Sequence, residues 1–252
     1  MYPLAYVSRR RFLEWVSTAG LALCGCFAKG STANCGQPQD KPDERSARLE
    51  PAVPADVGKE LPLPPASLDG QVSLEAALSR RRSVRQYADR PLSWETIAQL
   101  CWSAQGVSDP AGKRTAPSAG ALYPLELYVA TGEGLFQYRP LRHTALVVSQ
   151  EDLRPALHRA ALGQSAVLQA PAVFVIAAIY ARTEVKYGRE RSPRYVHLEA
   201  GHTAQNLLLQ ATALGLGAVP IGAFYDDQVS LALRLPDDHA PLYLIPVGHL
   251  SR

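Results

Sequence analysis

The chain has 252 residues, 47% of them hydrophobic and 19% charged, enough for the core of one domain plus appendages. Its 26 basic and 23 acidic residues leave a net charge of +3, too balanced for a nucleic-acid binder. Four cysteines, at positions 24, 26, 35 and 101, are too few and too clustered for a disulfide scaffold or a zinc site.

The chain opens with Ser8-Arg9-Arg10-Arg11-Phe12-Leu13, which resembles the twin-arginine export signal, with Glu14 as a departure where that signal prefers Lys. An uncharged stretch from Trp15 to Ala28 follows. As a helix it would rise about 21 Å, short of a hydrocarbon core of roughly 30 Å. A basic front and a short apolar run are the shape of a signal peptide, so residues 1–35 are expected to be an address rather than part of the fold. Leu23-Cys24-Gly25-Cys26 resembles a lipobox in which Cys26 would carry lipid; conventional cleavage further on is the alternative. Most of the net charge belongs to this segment, because removing residues 1–25 lowers it to +1. Export by this route implies folding before translocation, usually around a cofactor, and places the protein outside the cytoplasm.

Residues 36–70 carry seven prolines and few large apolar groups, predicting an extended, semi-rigid linker. A globular pattern occupies residues 71–252. Ser73 is placed to cap a short helix over Leu74, Ala77 and Leu78, and Ser93 to cap another that Gly106 ends. Leu125–Thr131 and Leu135–Arg139 read as strands across a Gly-rich turn, and 151–162 as an amphipathic helix. Ala172–Ile179 is continuously apolar, as in a strand buried on both faces. The spacing predicts a long helix over 194–214 with Ala200, Ala204, Leu207, Leu208, Ala211 and Leu214 on one stripe. Strands at 218–221 and 242–247, with a helix near 227–233 between them, complete the pattern. Helices and strands mix without a regular βαβ repeat, which predicts an α+β fold.

Several segments carry chemistry. Arg80-Arg81-Arg82-Ser83-Val84-Arg85 sets four guanidiniums and a hydroxyl within six residues, suited to a phosphate and equally to a solvated turn. Pro117-Ser118-Ala119-Gly120 precedes a strand; its small residues would let the backbone approach a flat ligand, or simply form a turn. The glycines around 215–222 fail as a dinucleotide fingerprint, because they follow a helix, run into a strand and include Pro220. His197, Glu199 and His202 have the wrong spacing for a zinc helix, so no metal is expected.

Taken together and in order, four segments resemble the nitroreductase superfamily, most closely its SagB/ThcOx-type dehydrogenase branch: RRSVR (81–85), PSAGALYPLELYV (117–129), residues 185–224, and PLYLIPVGHL (241–250) with Gly248. The resemblance implies a mixed, largely antiparallel sheet flanked by helices, and a homodimer that binds FMN at its interface. It assigns Arg81, Arg82 and Ser83 to the FMN phosphate and ribityl chain, and Arg85 to the pyrimidine edge. A fixed cation at that edge would stabilise the charge of reduced flavin. Pro117, Ser118, Ala119 and Gly120 would lie along the ring from the partner subunit, and Pro220, Ile221 and Gly222 near flavin N5, where hydride is exchanged. Lys186-Tyr187 matches an acid/base pair of azoline-oxidising members, placed before the long helix. Removing hydride from a ring carbon leaves an acidic proton that such a pair can take.

Two departures accompany the match. Ala121 stands where many nitroreductases have an Asn that contacts the flavin, and residues after Leu250 are few where relatives carry a C-terminal arm. The expected function is an exported FMN-dependent oxidoreductase acting on a small organic or peptide-derived substrate, as a dehydrogenase or as a nitro or quinone reductase. The alternatives are a flavin-binding module without turnover and a lipid-tethered docking subunit of a peptide-modifying complex.

Overall fold

The computed structural model describes residues 56–251. The twin-arginine segment, Cys26 and the first part of the proline-rich stretch lie outside the described residues. A seven-stranded sheet runs through the domain in the order β1-β4-β3-β2-β5-β7-β6, and every pairing between these strands is antiparallel. In chain order the strands are β1 (Glu60–Pro62), β2 (Leu125–Thr131), β3 (Gly134–Arg139), β4 (Thr144–Ser149), β5 (Ala172–Ala178), β6 (Leu216–Ala218) and β7 (Ala240–His249). The helices are α1 (Leu74–Arg80), α2 (Trp94–Gln105), α3 (Arg154–Ala160), α4 (Ser165–Gln169), α5 (Tyr180–Ala213) and α6 (Asp226–Leu233).

β5 explains the layering. All seven of its residues are buried, and alternate side chains enter two different cores. Phe174 and Ile176 pack with Leu100 and Cys101 of α2 and Val196, Ala200, Ala204 and Leu207 of α5. Val173 and Val175 pack with Leu157 of α3, Val167 of α4 and Leu233 of α6. Helices therefore cover both faces of an antiparallel sheet. Each large side chain so buried contributes about 1.5–3 kcal/mol, which is why the run is apolar without alternation. Burial also pushes the Cys101 thiol well above its usual range, leaving it unreactive.

The expected caps are present: Ser73 accepts from the amide of Ala76 at 3.2 Å, Ser93 from that of Thr96 at 3.3 Å, and Gly106 ends α2. The proline-rich linker is corrected at its end. Residues 60–62 form β1 on β4, and Leu61 and Leu63 pack against the cluster of Phe136, Ala145 and Val147, so the fold begins before residue 71. Pro62 is tolerated because β1 is an edge strand. β4 is a strand that the periodicity did not single out, the helix expected over 151–162 is shortened to α3, and α4 follows it as a separate helix.

The long helix also differs from expectation. Helical structure starts at Tyr180 and is interrupted at Gly188, whose φ of 73° and ψ of 164° are not helical. Lys186 and Tyr187 thus end a helical stretch rather than sit in a loop. The chain folds back at Gly188: Ser192 Oγ donates to the Tyr180 carbonyl at 3.2 Å and the Tyr180 hydroxyl lies 2.7 Å from His197 Nε2, so a short helix ending at Tyr187 precedes the expected long one.

Candidate active site

The segments singled out for chemistry gather into two clusters. The first runs along the β6 edge of the sheet. Ser83 forms a parallel bridge with Ala218, and the amide of Val84 donates to the Ala218 carbonyl at 3.0 Å. Tyr87 locks the segment down, its hydroxyl donating to the carbonyls of Val84 (2.7 Å) and Pro246 (3.2 Å). Two glycines make this approach possible. A Cβ on Gly217 would lie 2.6 Å from Val84 Cγ1, and one on Gly248 would lie 2.7 Å from Pro171 Cδ and 2.9 Å from Tyr87 Cβ. Gly248 is therefore buried beneath the arginine segment and shapes it from below.

Arg82, Ser83 and Arg85 are exposed along this edge, with Arg81 half-buried. Arg82 Nη1 donates to the carbonyls of Ser79 (2.9 Å) and Arg81 (2.7 Å). Among the described residues, none of Arg81, Arg82 and Arg85 has a carboxylate partner. Pro220, Ile221 and Gly222 extend the same edge. Ile221 exchanges backbone hydrogen bonds with Leu244 at 2.8 and 3.0 Å. Gly222 is exposed, and a Cβ there would meet nothing nearer than Tyr243 at 3.9 Å, so its backbone is open to a ligand. Guanidiniums with no carboxylate partner among the described residues, a hydroxyl and open backbone form a donor set that fits the phosphate of FMN.

The second cluster joins the 117–123 loop to the helical stretch ending at Tyr187. Ser118 Oγ accepts from the Tyr123 amide at 2.9 Å and holds the loop in a tight 3-10 turn over Ala119–Ala121. Gly120, Ala121 and Tyr123 have φ values of 64°, 54° and 47°. The left-handed region is expensive for Ala and Tyr, roughly 1–2 kcal/mol each. Lys186 and Tyr187 lie directly over Gly120: a Cβ there would be 3.0 Å from Lys186 Nζ and 3.2 Å from the Tyr187 hydroxyl. Lys186 Nζ sits 5.7 Å from the Tyr187 ring centre, and Tyr187 packs on Tyr195 at 4.4 Å. A primary amine and a phenol share one surface patch. Pro117 is exposed and Ser118 and Ala119 are half-buried at its margin.

Behind this loop lies a polar network that sequence reasoning missed. Glu199 of α5 is 2% exposed, and its Oε1 has no hydrogen-bond partner. Burial pushes its pKa up to about 7, against the opposing pull of Ser118, Arg114 and Gln105. Gln105 Nε2 donates to Thr203 at 2.6 Å, and its Oε1 accepts from Arg114 Nη1 at 2.8 Å. The available signal was the position of Glu199 on the buried stripe with Ala200 and Thr203, where a carboxyl needs a reason to be.

Among the described residues no hydrogen bond joins the two clusters. One chain presents a basic edge and, separately, a Lys-Tyr patch.

This fold with these segments defines an oxidoreductase class. The sequence model of the Nitroreductase family matches residues 78–249, and the chain belongs to that family. A nitroreductase-family protein of Methanocaldococcus jannaschii is 45% identical over 71% of this chain and 91% of its own length. The Escherichia coli microcin B17-processing protein McbC is 28% identical over 57% of each chain. Among solved structures, a nitroreductase-family protein of Ralstonia eutropha JMP134 superposes with a TM-score of 0.71 at 29% identity, covering 80% of this chain and 94% of that one. A chain of the E. coli microcin synthetase McbBCD complex, solved with truncated pro-MccB17 bound, gives a TM-score of 0.62 at 27% identity and covers 76% of this chain and 78% of that one.

Proposed function

We propose that the protein is an FMN-dependent oxidoreductase that works as a homodimer on a small organic or peptide-derived substrate, after export by the twin-arginine route. The carrying observation is the pair of separated clusters, each half of a flavin site. Among the described residues the basic edge has open backbone and no carboxylate partner, and the Lys186–Tyr187 patch has proton-exchanging groups. A two-fold partner would set the patch of one subunit over the edge of the other. Supporting this, Leu74 and Leu78 of α1 and Leu198 of α5 are 61%, 51% and 55% exposed, large apolar side chains that a second copy would cover.

In this reading Arg81, Arg82 and Ser83 hold the phosphate, Arg85 offsets negative charge at the pyrimidine edge, and the 220–222 backbone sets the depth of the ring. The chemistry FMN supplies when bound is two-electron exchange with a stacked substrate. Lys186 Nζ and the Tyr187 hydroxyl take or return the substrate proton that accompanies it. Likeness to the microcin B17-processing protein McbC favours a peptide-derived substrate. The test is to titrate FMN into the full chain and follow its mass in solution. Lys186→Ala and Tyr187→Phe should keep dimer and flavin while losing substrate turnover. Loss of flavin affinity in these variants, or unchanged turnover, would sink the assignment of the pair.

A further inference from the structure

A cavity of about 570 Å³ lies where the starts of β2 and α5 meet the end of β3 and the 112–123 loop. Its walls include Leu122, Tyr123, Leu127 and Leu141, and four arginines line it: Arg114, Arg139, Arg142 and Arg182. Two of these are neutralised. Arg142 Nη1 donates to both carboxylate oxygens of Glu60 at 3.1 and 3.2 Å. Arg182 Nη2 pairs with Glu126 Oε1 at 2.5 Å, and Glu126 Oε2 is taken by Gln137 at 2.8 Å.

The other two arginines have no such partner. Arg114 donates only to the neutral Gln105 side chain and lies 4.5 Å over the Tyr123 ring, while its buried Nε has no partner. Arg139 makes no side-chain hydrogen bond or ion pair among the described residues. A half-buried guanidinium with no carboxylate bonded to it has lost hydration and gained only a more distant field in return, so an incoming carboxylate would bind it strongly. The fields of Glu126 and Glu199 offset part of the Arg114 charge, and Arg139 shares the field of Glu60 with Arg142, which favours a single negative charge over a dianion.

Arg182 ties the cavity to the Lys186–Tyr187 patch. Arg182 lies four residues before Lys186 on one helical stretch, placing the two on the same face. Its Nη1 donates to the carbonyl of Tyr123 at 3.0 Å, fixing the end of the loop that carries Gly120.

We infer that this cavity is a carboxylate-recognition subsite: Arg114 and Arg139 take the carboxylate of a substrate whose apolar body lies on Leu122, Tyr123 and Leu141. The volume suits a bicyclic acid or the last residues of a peptide. The use of the subsite in turnover rests on the oxidoreductase reading above; carboxylate binding does not.

The test is calorimetric titration of the full chain, with its flavin content recorded, using 2-naphthoate against 2-naphthamide. A second matched pair is N-acetyl-Leu-Phe with a free or an amidated C-terminus. The acid should bind roughly ten- to hundredfold more tightly than its amide in at least one pair. A preference confined to naphthoate identifies a small free acid, and one shown by the dipeptide identifies a peptide terminus. Arg139→Gln and Arg114→Gln should each remove most of the preference while leaving amide binding within about twofold. If Arg114→Gln disturbs the Gln105 network and fails to fold, Arg139→Gln still reports, since it breaks no bond. Equal affinity for acid and amide in both pairs overturns the proposal, as does a preference that survives both substitutions. A chain that prefers the acid but binds no FMN upholds the subsite and sinks the oxidoreductase reading instead.

Discussion

Replacing Glu199 with Gln removes a charge that the fold disfavours while keeping the shape of the side chain. The carboxyl is almost wholly buried, and desolvation raises its pKa from 4.5 to about 7. A carboxyl with a raised folded-state pKa is neutral in both states below about pH 4.5, where it costs nothing. Between pH 4.5 and 7 the unfolded chain loses this proton and the folded chain keeps it, so stability falls as pH rises and levels off above pH 7. A shift of this size corresponds to about 3 kcal/mol at pH 8. For a domain of this length that is a Tm difference of about 6–12 °C. Glu199→Gln should therefore melt well above the unmodified chain at pH 8 and nearly with it at pH 4.5, measured by differential scanning calorimetry in matched buffers. A gain of equal size at both pH values, or a variant less stable at pH 8, would refute the assignment of a buried carboxyl that is costly to ionise.

Gly120→Ala should cost only about 1–2 kcal/mol of stability, from its positive φ, yet lower turnover at least tenfold by displacing Lys186 and Tyr187; Tm and steady-state rates separate the two effects. Gly248→Ala forces a Cβ to within 2.7 Å of Pro171 and 2.9 Å of Tyr87. It should cost about 1–3 kcal/mol by overpacking and weaken FMN binding by shifting the arginine segment, as read by denaturant melts and flavin titration. Leu74→Glu with Leu78→Glu, both at exposed positions, should leave a folded monomer that binds flavin poorly, seen by sedimentation. Arg9→Lys with Arg10→Lys should hold a tagged chain in the cytoplasm, as fractionation would show.

How much of this was legible in the sequence depended on how local each feature was. β2 and β5 emerged with nearly correct bounds because their apolar runs are continuous and bounded by turn residues. The caps at Ser73, Ser93 and Gly106 emerged because each acts within one helical turn. β1 was hidden by the prolines around it, since an edge strand tolerates what an inner strand cannot. The short helix that ends at Tyr187 was hidden by Gly188, whose positive φ turns the chain back so that Ser192 meets the Tyr180 carbonyl. Lys186 and Tyr187 could be singled out by resemblance, but their contact with Gly120 is tertiary. The Glu199 network draws on residues near 105, 118 and 199, and the arginine cavity on positions from 114 to 182. No spacing rule joins such positions before the chain is folded.

The proposed oxidoreductase must hold FMN to work. The most direct measurement is the visible absorption spectrum of the purified full chain, with mass analysis of whatever heat releases from it. A flavin spectrum and FMN released at about one per chain are expected. A colourless protein that also fails to take up added FMN would contradict the proposed function.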